Sequence, residues 1–397
     1  MTPRPPLDAL LVDPSLFTAP YDAALTEGLV AAGVRPMWAT RPTRQGDRQE
    51  IAAEFVDPFF YRRVDGASRL FGPLRAIAKG FAHALGLVRL VARVWRRGPD
   101  VVHLQWVVLP PLDAVALLLI RSRCPVLLTV HDTVPFNGER LSLLQNLGFD
   151  LPIRLAQRVI VHTQSGRQAL VDRGVPAHKI HVVPHGPLRL PVTPSATALT
   201  RLRHSRWTFV LFGEIKPYKG LDILIEALGR MPCAVRSGLR VIVAGRPRMD
   251  LAAAIARIAE LGLGDTVELR AKRLDEQEMA DLFDEADSFV FPYRQIDASG
   301  VYFLVKSMGK WMIASRVGIF AEDMKDGVDG ALVDSGDIDA LAREMGRAAA
   351  QRPAARPQAA SDSWQQIGVL TREVYEAAMA GSTRAHKPAW VATERQP

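Results

Sequence analysis

The sequence predicts an α/β protein built from two doubly wound units, each a parallel sheet covered by helices. Three observations carry this. Short, continuous apolar runs recur through the chain, without the polar alternation of a sheet wetted on one face. These runs alternate with segments of helical spacing, the order that builds βαβ units. One break interrupts the series: residues 187–205, rich in Pro, Thr, Ser and Arg and without periodicity. At 397 residues the chain has room for two domains of ordinary size. The expected division is 1–190, a linker at 191–206, and 207–360. A helix at about 361–380 can pack back on the first domain, and 381–397 is a polar, mobile tail.

In chain order, Leu7 to Val12 is the first strand, and the loop from Asp13 to Pro20 holds two prolines. Tyr21 to Ala32 has helical spacing and stops at Gly33, a good C-cap. Pro36 to Thr40 is a second strand. Val101 to Trp106, Val126 to Asp132 and Val159 to His162 are apolar runs that reach a His at or near their ends. In the second half the strands are Phe209–Phe212, Val241–Ala244, Thr266–Leu269, Ser288–Phe291 and Met312–Ser315.

Composition narrows the function classes. Two cysteines far apart form neither a disulfide framework nor a metal-ligand spacing, which fits a reducing compartment. The first residues lack a signal peptide's apolar core. The longest apolar run, Ala114 to Ile120, is far short of the roughly 18 residues that span a bilayer. Net charge is +8 and unevenly spread: between Asp65 and Asp100 there is no acidic residue. At about 100° per residue, Leu74, Ile77, Phe81, Leu85, Val88, Ala92 and Trp95 form one stripe, and Arg75, Lys79, Arg89, Arg93 and Arg97 form a second arc roughly opposite. That pattern suits a helix lying in an anionic membrane interface, and equally a core-packed helix with a basic outer face. Nucleic acid is not the expected partner, because no aromatic interleaving or nucleic-acid motif accompanies the charge.

Two loops point to chemistry. Phe289-Val290-Phe291-Pro292 is a strand that runs through Asp297 into Ser299-Gly300-Val301 at a helix start. Ser299 is a plausible N-cap, Gly300 allows close approach, and the free amides suit a diphosphate. Upstream, Phe212-Gly213 leads through Lys216 and Lys219 to Gly220, again between strand and helix, where open α/β sheets bind ligands. A loop lysine is ordinarily just solvated; two such loops in one unit are less readily accidental. The strand-end residues His103, His131 and His162 are candidates for the crevice, with His131-Asp132 foremost. A lone strand-end His is more often structural. No G-x-G-x-x-G opens either half, which disfavours an ordinary dinucleotide enzyme.

Nearly the full length resembles GT-B glycosyltransferases of the glycosyltransferase family 4 type. The marks run in order: Pro20-Tyr21-Asp22, Pro99-Asp100-Val101-Val102-His103, Val130-His131-Asp132, and Val182-Val183-Pro184-His185-Gly186. The second half adds Phe212-Gly213 through Lys219-Gly220, Ala286-Asp287, Ser299-Gly300 through Gly309-Lys310 to Ser315, and Leu332 to Asp337. The segment before Ser299-Gly300 is also similar to that of bacterial exopolysaccharide mannosyltransferases. The resemblance implies the GT-B fold, two Rossmann-like domains facing a crevice. It implies a nucleotide-sugar donor held by Gly213, Lys216, Lys219, Ser299, Gly300 and Val301, with His131, Asp132 and Asp297 in the catalytic set. Lys216 stands where an Arg is common, keeping the charge and losing the bidentate fork. The family usually shows two glutamates eight residues apart; Asp297 takes the first place, and the second falls at apolar Leu304 or Val305.

The expected function is therefore metal-independent, retaining hexosyl transfer from a nucleotide sugar, with no cofactor beyond that donor. The expected acceptor is a lipid-linked saccharide or an oligosaccharide in polysaccharide or glycolipid assembly. The expected place is cytoplasmic, peripheral on the inner face of the plasma membrane. The alternative is a non-catalytic or weakened GT-B protein that binds a nucleotide sugar or a partner enzyme.

Overall fold

A computed structural model describes residues 5–44, 47–62, 72–133, 148–196, 206–354 and 363–381. Linker residues 197–205 and the tail from 382 onward lie outside the described residues.

The first half holds seven strands: β1 (Leu7–Asp13), β2 (Val34–Thr40), β3 (Val56–Pro58), β4 (Val101–Leu104), β5 (Val126–Thr129), β6 (Arg158–Val161) and β7 (Ile180–Val182). They form one sheet in the order β3-β2-β1-β4-β5-β6-β7, with every pairing parallel. The second half holds β8 (Trp207–Phe212), β9 (Leu239–Ala244), β10 (Val267–Arg270), β11 (Ser288–Phe291), β12 (Trp311–Ser315) and β13 (Gly330–Val333). Their order is β10-β9-β8-β11-β12-β13, again parallel. In both sheets the strand order reverses beside the first strand, at β1/β4 and at β8/β11. Ligand crevices open at such switch points, outside the strand carboxyl ends. The short edge strands β3, β7 and β13 are additions to the strands read from the sequence.

The helices of the first half are α1 (Ala19–Ala31), α2 (Gly72–Arg97), α3 (Pro110–Arg121), α4 (Asp150–Leu155) and α5 (Gln164–Asp172). In the second half come α6 (Leu221–Arg230), α7 (Cys233–Arg236), α8 (Ala252–Glu260), α9 (Glu276–Glu285), α10 (Gly300–Ser307), α11 (Gly318–Asp323), α12 (Ile338–Gln351) and α13 (Trp364–Ala380). The central strands are buried on both faces, as their unbroken apolar runs require. The last helix, α13, does not pack on the sheet that precedes it. Its Ile367, Val374, Tyr375 and Ala378 join the core of the first domain beside Leu25 and Leu29 of α1. A Cβ at Gly368 would collide with the Gly28 carbonyl, so the α1–α13 crossing needs glycine on both sides.

Helix α2 has two apolar faces. His83, Leu87, Leu90 and Val94 are buried, whereas Leu74, Ile77, Phe81, Leu85, Val88 and Trp95, most of the stripe read from the sequence, are exposed. Arg89, Arg93 and Arg97 are partly committed to the protein. Arg93 bonds both oxygens of Asp57 at 2.6 and 3.0 Å and covers the Phe59 ring, Arg97 joins Asp57 at 3.2 Å, and Arg89 donates to Phe59 O. The helix is thus core-packed, but its outward face is greasy where a core-packed reading expects basic residues.

Candidate functional site

The second domain contributes the cationic wall. At the end of β8, Gly213 turns with φ +107°, and a Cβ there would lie 2.6 Å from Lys219 Nζ. Lys219 sits on the turn Pro217–Lys219. It is buried, donates to Phe212 O at 3.3 Å, and has Nζ 5.5 Å from the Tyr293 ring centre. Burial, then the charge of Lys216, bring its pKa down to about 8. Lys216 pairs with Glu214 at 3.2 Å, and Arg248 holds the same carboxylate at 2.6 Å. Arg248 carried no sequence signal, since the bridge Ile215–Pro247 that brings it in is non-local.

Beside β8, β11 delivers the second loop. Ser299 caps α10, its side chain accepting from Tyr302 N at 3.4 Å. The Val301 side chain lies 3.7 Å from where a Gly213 Cβ would be, so the two loops meet. Gly213, Lys219, Ser299, Gly300 and Val301 therefore share one wall, with first-turn amides of α10 unclaimed by helix bonding. A buried ammonium and a positive helix end are what a diphosphate needs. Leu304 and Val305 face the core, so no carboxylate holds a ribose from either position.

The first domain contributes a neutral wall. His131 stacks on Trp106 at 4.9 Å and 12°, with its ring edge-on to Tyr21. Its Nε2 lies 3.1 Å from Gln105 Oε1 and its Nδ1 3.3 Å from His162 Nε2. His162 Nδ1 faces Val183 O at 2.9 Å, which can only accept. His162 therefore carries its hydrogen on Nδ1, and its Nε2 accepts from His131. Burial first, then the neighbouring imidazoles, hold His131 well below its ordinary value. A neutral ring has one N–H, given to His162, so its Nε2 accepts, and the Gln105 amide then turns its NH2 toward the ring. Gln105 and His162 both contact the His131 ring nitrogens. Asp132 lines the cavity beside His131 with Trp106, Phe149 and Ile153. Gln105 was missed as a candidate because a strand-end amide carries no motif.

His103 and His185 differ from His131. His103 is fully engaged: Tyr375 OH at 2.8 Å and Thr129 Oγ1 at 2.7 Å tie α13 to the sheet, and burial lowers its pKa to about 3. It is a core histidine, because α13 covers the β4 end. His185 stacks on Phe303 of α10 at 4.1 Å and 2°, joining the walls.

Asp297 lies on this seam. Its carboxylate accepts from Thr133 N, two residues beyond His131, and Arg173 donates to Thr133 O at 2.5 Å. A second clasp is Glu322 of α11, which accepts from Gln164 N and Ser165 N at 2.6 Å each, at the α5 N-terminus. Behind the crevice, Asp13 and Asp22 are both buried with raised pKa, burial being the larger cause in each. Asp22 Oδ2 has no partner unless a proton bridges it to Asp13. Among the described residues no three His, Cys, Asp or Glu side chains are grouped as metal ligands.

Residues 23–186 match the family described as Glycosyltransferase Family 4, and 206–351 match Glycosyl transferases group 1. A D-inositol 3-phosphate glycosyltransferase of Streptosporangium roseum is 28% identical over 254 residues, 59% of this chain and 58% of that protein. A GDP-mannose-dependent phosphatidylinositol monomannoside mannosyltransferase of Mycolicibacterium smegmatis is 31% identical over 189 residues, 43% of this chain and 48% of that protein. The chain spans about half the length of the curated relatives it matches. Anabaena HepE, solved with UDP-glucose, superposes with a TM-score of 0.66 at 18% identity, covering 94% of this chain and 100% of that one. Two matched domains in this order, on two facing parallel sheets, place the chain among the GT-B glycosyltransferases of the family 4 type.

Proposed function

We propose that the protein transfers a hexosyl group from a nucleoside-diphosphate sugar to a saccharide acceptor carried on a lipid, in polysaccharide or glycolipid assembly. The observation that carries this is the meeting of Lys219 and the α10 N-terminus at Gly213, with the Asp297–Thr133 clasp tying the second domain to the first, two residues beyond His131. As the bond from the sugar carbon to the diphosphate breaks, negative charge grows on the leaving phosphate. Lys219, Lys216 and the first α10 amides are placed to stabilise it, so the leaving group needs no metal on this reading. His131, held neutral, hydrogen-bonds the uncharged sugar. The transfer is of the retaining kind by family likeness. The relative named for phosphatidylinositol monomannoside supports an acceptor on a lipid, whereas those named for D-inositol 3-phosphate use a water-soluble one. Such a protein works on the cytoplasmic face of the plasma membrane.

A second reading is a GT-B protein that binds a nucleotide sugar, or a partner enzyme, without turnover. The apolar Leu304 and Val305 at the expected ribose position favour it. A thermal-shift screen with UDP-, GDP- and ADP-sugars, followed by label transfer to a polyprenyl-linked saccharide, separates the two. Stabilisation by one donor class together with label transfer is expected. Stabilisation without transfer or hydrolysis establishes the binder, and no stabilisation by any donor removes the transferase and the nucleotide-sugar binder alike.

A further inference from the structure

No helix among the described residues is long and apolar enough to cross a membrane. The first domain nevertheless shows an apolar surface that the other described residues leave exposed. On α2, Phe81 is 74% and Ile77 69% exposed, flanked by Leu74, Leu85 and Val88. Helix α3 runs beside it and exposes Leu112, Val115, Leu118 and Leu119. The two helices are one rigid face. Buried His83 of α2 bonds Asp113 of α3 at 3.0 Å, and Arg123, just past α3, covers the Trp95 ring at 4.4 Å. Asp113 also accepts from Val108 N and Leu109 N at the start of α3. Only α2 was readable as amphipathic in the sequence; the α3 stripe adds to it only once the helices are side by side. A patch of this kind, larger than scattered surface leucines, marks an interaction site.

We propose that α2 and α3 together form a docking face that inserts apolar side chains into an anionic lipid surface. The charge around the patch selects this occupant. Helix α2 has no carboxylate, and the one on α3, Asp113, is buried against His83. Asp57, the nearest carboxylate contacting α2, is covered by Arg93 and Arg97. Exposed at the rim are Arg62, Lys79, Arg96, Arg97, Arg121 and Arg123. Two copies meeting face to face would bring like charges together, whereas phosphate headgroups complement them. The arginine arc is partly tied to Asp57 and Phe59, so apolar insertion dominates attachment and headgroup attraction adds to it. This deepens, and rests on, the reading of a lipid-borne acceptor. Phe149 and Ile153, which line the cavity at His131, belong to the α4 region packed on α3, so the docked face carries the reaction centre toward headgroup level.

The test is flotation with vesicles of phosphatidylcholine alone or mixed with phosphatidylglycerol. Wild-type protein is expected to float with the mixed vesicles and to remain substantially bound at about 1 M salt, where the screening length is roughly 3 Å. Ile77→Asp, Phe81→Asp and Val115→Asp together should lower the bound fraction at least tenfold at any salt. Arg96→Glu with Arg121→Glu should lower it several-fold, and only at low salt. All five side chains are exposed, and an unchanged circular dichroism melt confirms folding. Donor hydrolysis without vesicles, measured on the same proteins, reports on the transferase reading independently: hydrolysis with no flotation overturns only the docking face. Wild-type protein that does not float at low salt overturns the proposal. So does a wild-type dimer in sedimentation that the apolar triple variant returns to monomer, since the face then covers a second copy.

Discussion

Across the crevice, Lys219 and His131 are both enclosed side chains at strand ends, and they are built in opposite ways. Lys219 keeps its charge at neutral pH because burial, then the charge of Lys216, bring its pKa down only to about 8, with Glu214 pulling weakly the other way. His131 loses its charge because burial is reinforced by three further imidazoles. The lysine on the second domain's wall is therefore cationic, and the histidine on the first domain's wall is neutral. A nucleotide sugar has the same division, an anionic diphosphate joined to an uncharged ring. The two walls can be told apart by the size and the pH dependence of what their loss costs.

The largest effect belongs to the charge. Lys219→Ala removes a charge-assisted contact from a closed crevice, and kcat/KM for the donor should fall about 100-fold. In the wild type the ammonium is present below its pKa and lost above it, so kcat/KM should decline as pH rises through about 8. Steady-state kinetics on both proteins check this. Turnover within a few-fold of wild type, or a flat profile above that pH, would mean that the phosphate lies elsewhere.

The neutral wall should respond less, and two of its histidines should respond differently. His131→Ala removes one hydrogen bond near developing charge, about 2 kcal/mol or roughly thirtyfold in kcat. The circular dichroism melt should move less than for His103→Ala, because the ring borders a cavity. His103→Ala instead strands Tyr375 OH and Thr129 Oγ1 in the core, and should lower stability by about 1–3 kcal/mol. If the two variants exchange these phenotypes, the assignment of structural and functional histidines is reversed.

Those two histidines also show what the sequence could convey. Both end apolar strands, and local pattern places both at the crevice edge. What separates them is α13, whose Tyr375 arrives 272 residues later to claim His103. The strands and the two ligand loops were legible because continuous apolar runs, Gly213 and the Ser299 cap are local signals. Gln105, Arg248 and the Thr133 amide were not, since each acts through a partner distant in sequence. For α2 the periodicity was legible but the side facing the core was not. The helix has two apolar arcs, and only the packing of His83, Leu90 and Val94 shows which one is covered. Asp297 shows the same limit: its carboxylate meets the first domain at Thr133, a contact no pattern within 289–301 can report.

The smallest expected effect probes the floor of the neutral wall. Asp13 and Asp22 are buried together, and burial raises both pKa values. A group whose folded pKa is raised contributes stability that is full below its unfolded value, roughly 3.9, and is lost as pH rises through the folded one. The depressed histidines, His103 and His185 at about 3 and His162 at about 4, act in the other direction. Their contribution is full above the unfolded value of roughly 6.5 and is lost as pH falls. The two slopes partly cancel in a single melting curve, so the informative quantity is the difference between variant and wild type. Asp22→Asn keeps an acceptor for Thr18 Oγ1, which lies 3.3 Å from Asp22 Oδ1, and replaces the bridging proton with an amide hydrogen. It should raise the melting temperature at pH 8 by about 2–4 °C, the equivalent of about 1 kcal/mol in a domain of this size. The gain should shrink as pH is lowered, because the raised pKa values let the native acid pair take up its proton. A variant less stable than wild type at pH 8 would show that Asp22 works as an ionised acceptor, and that the first domain's wall is charged after all.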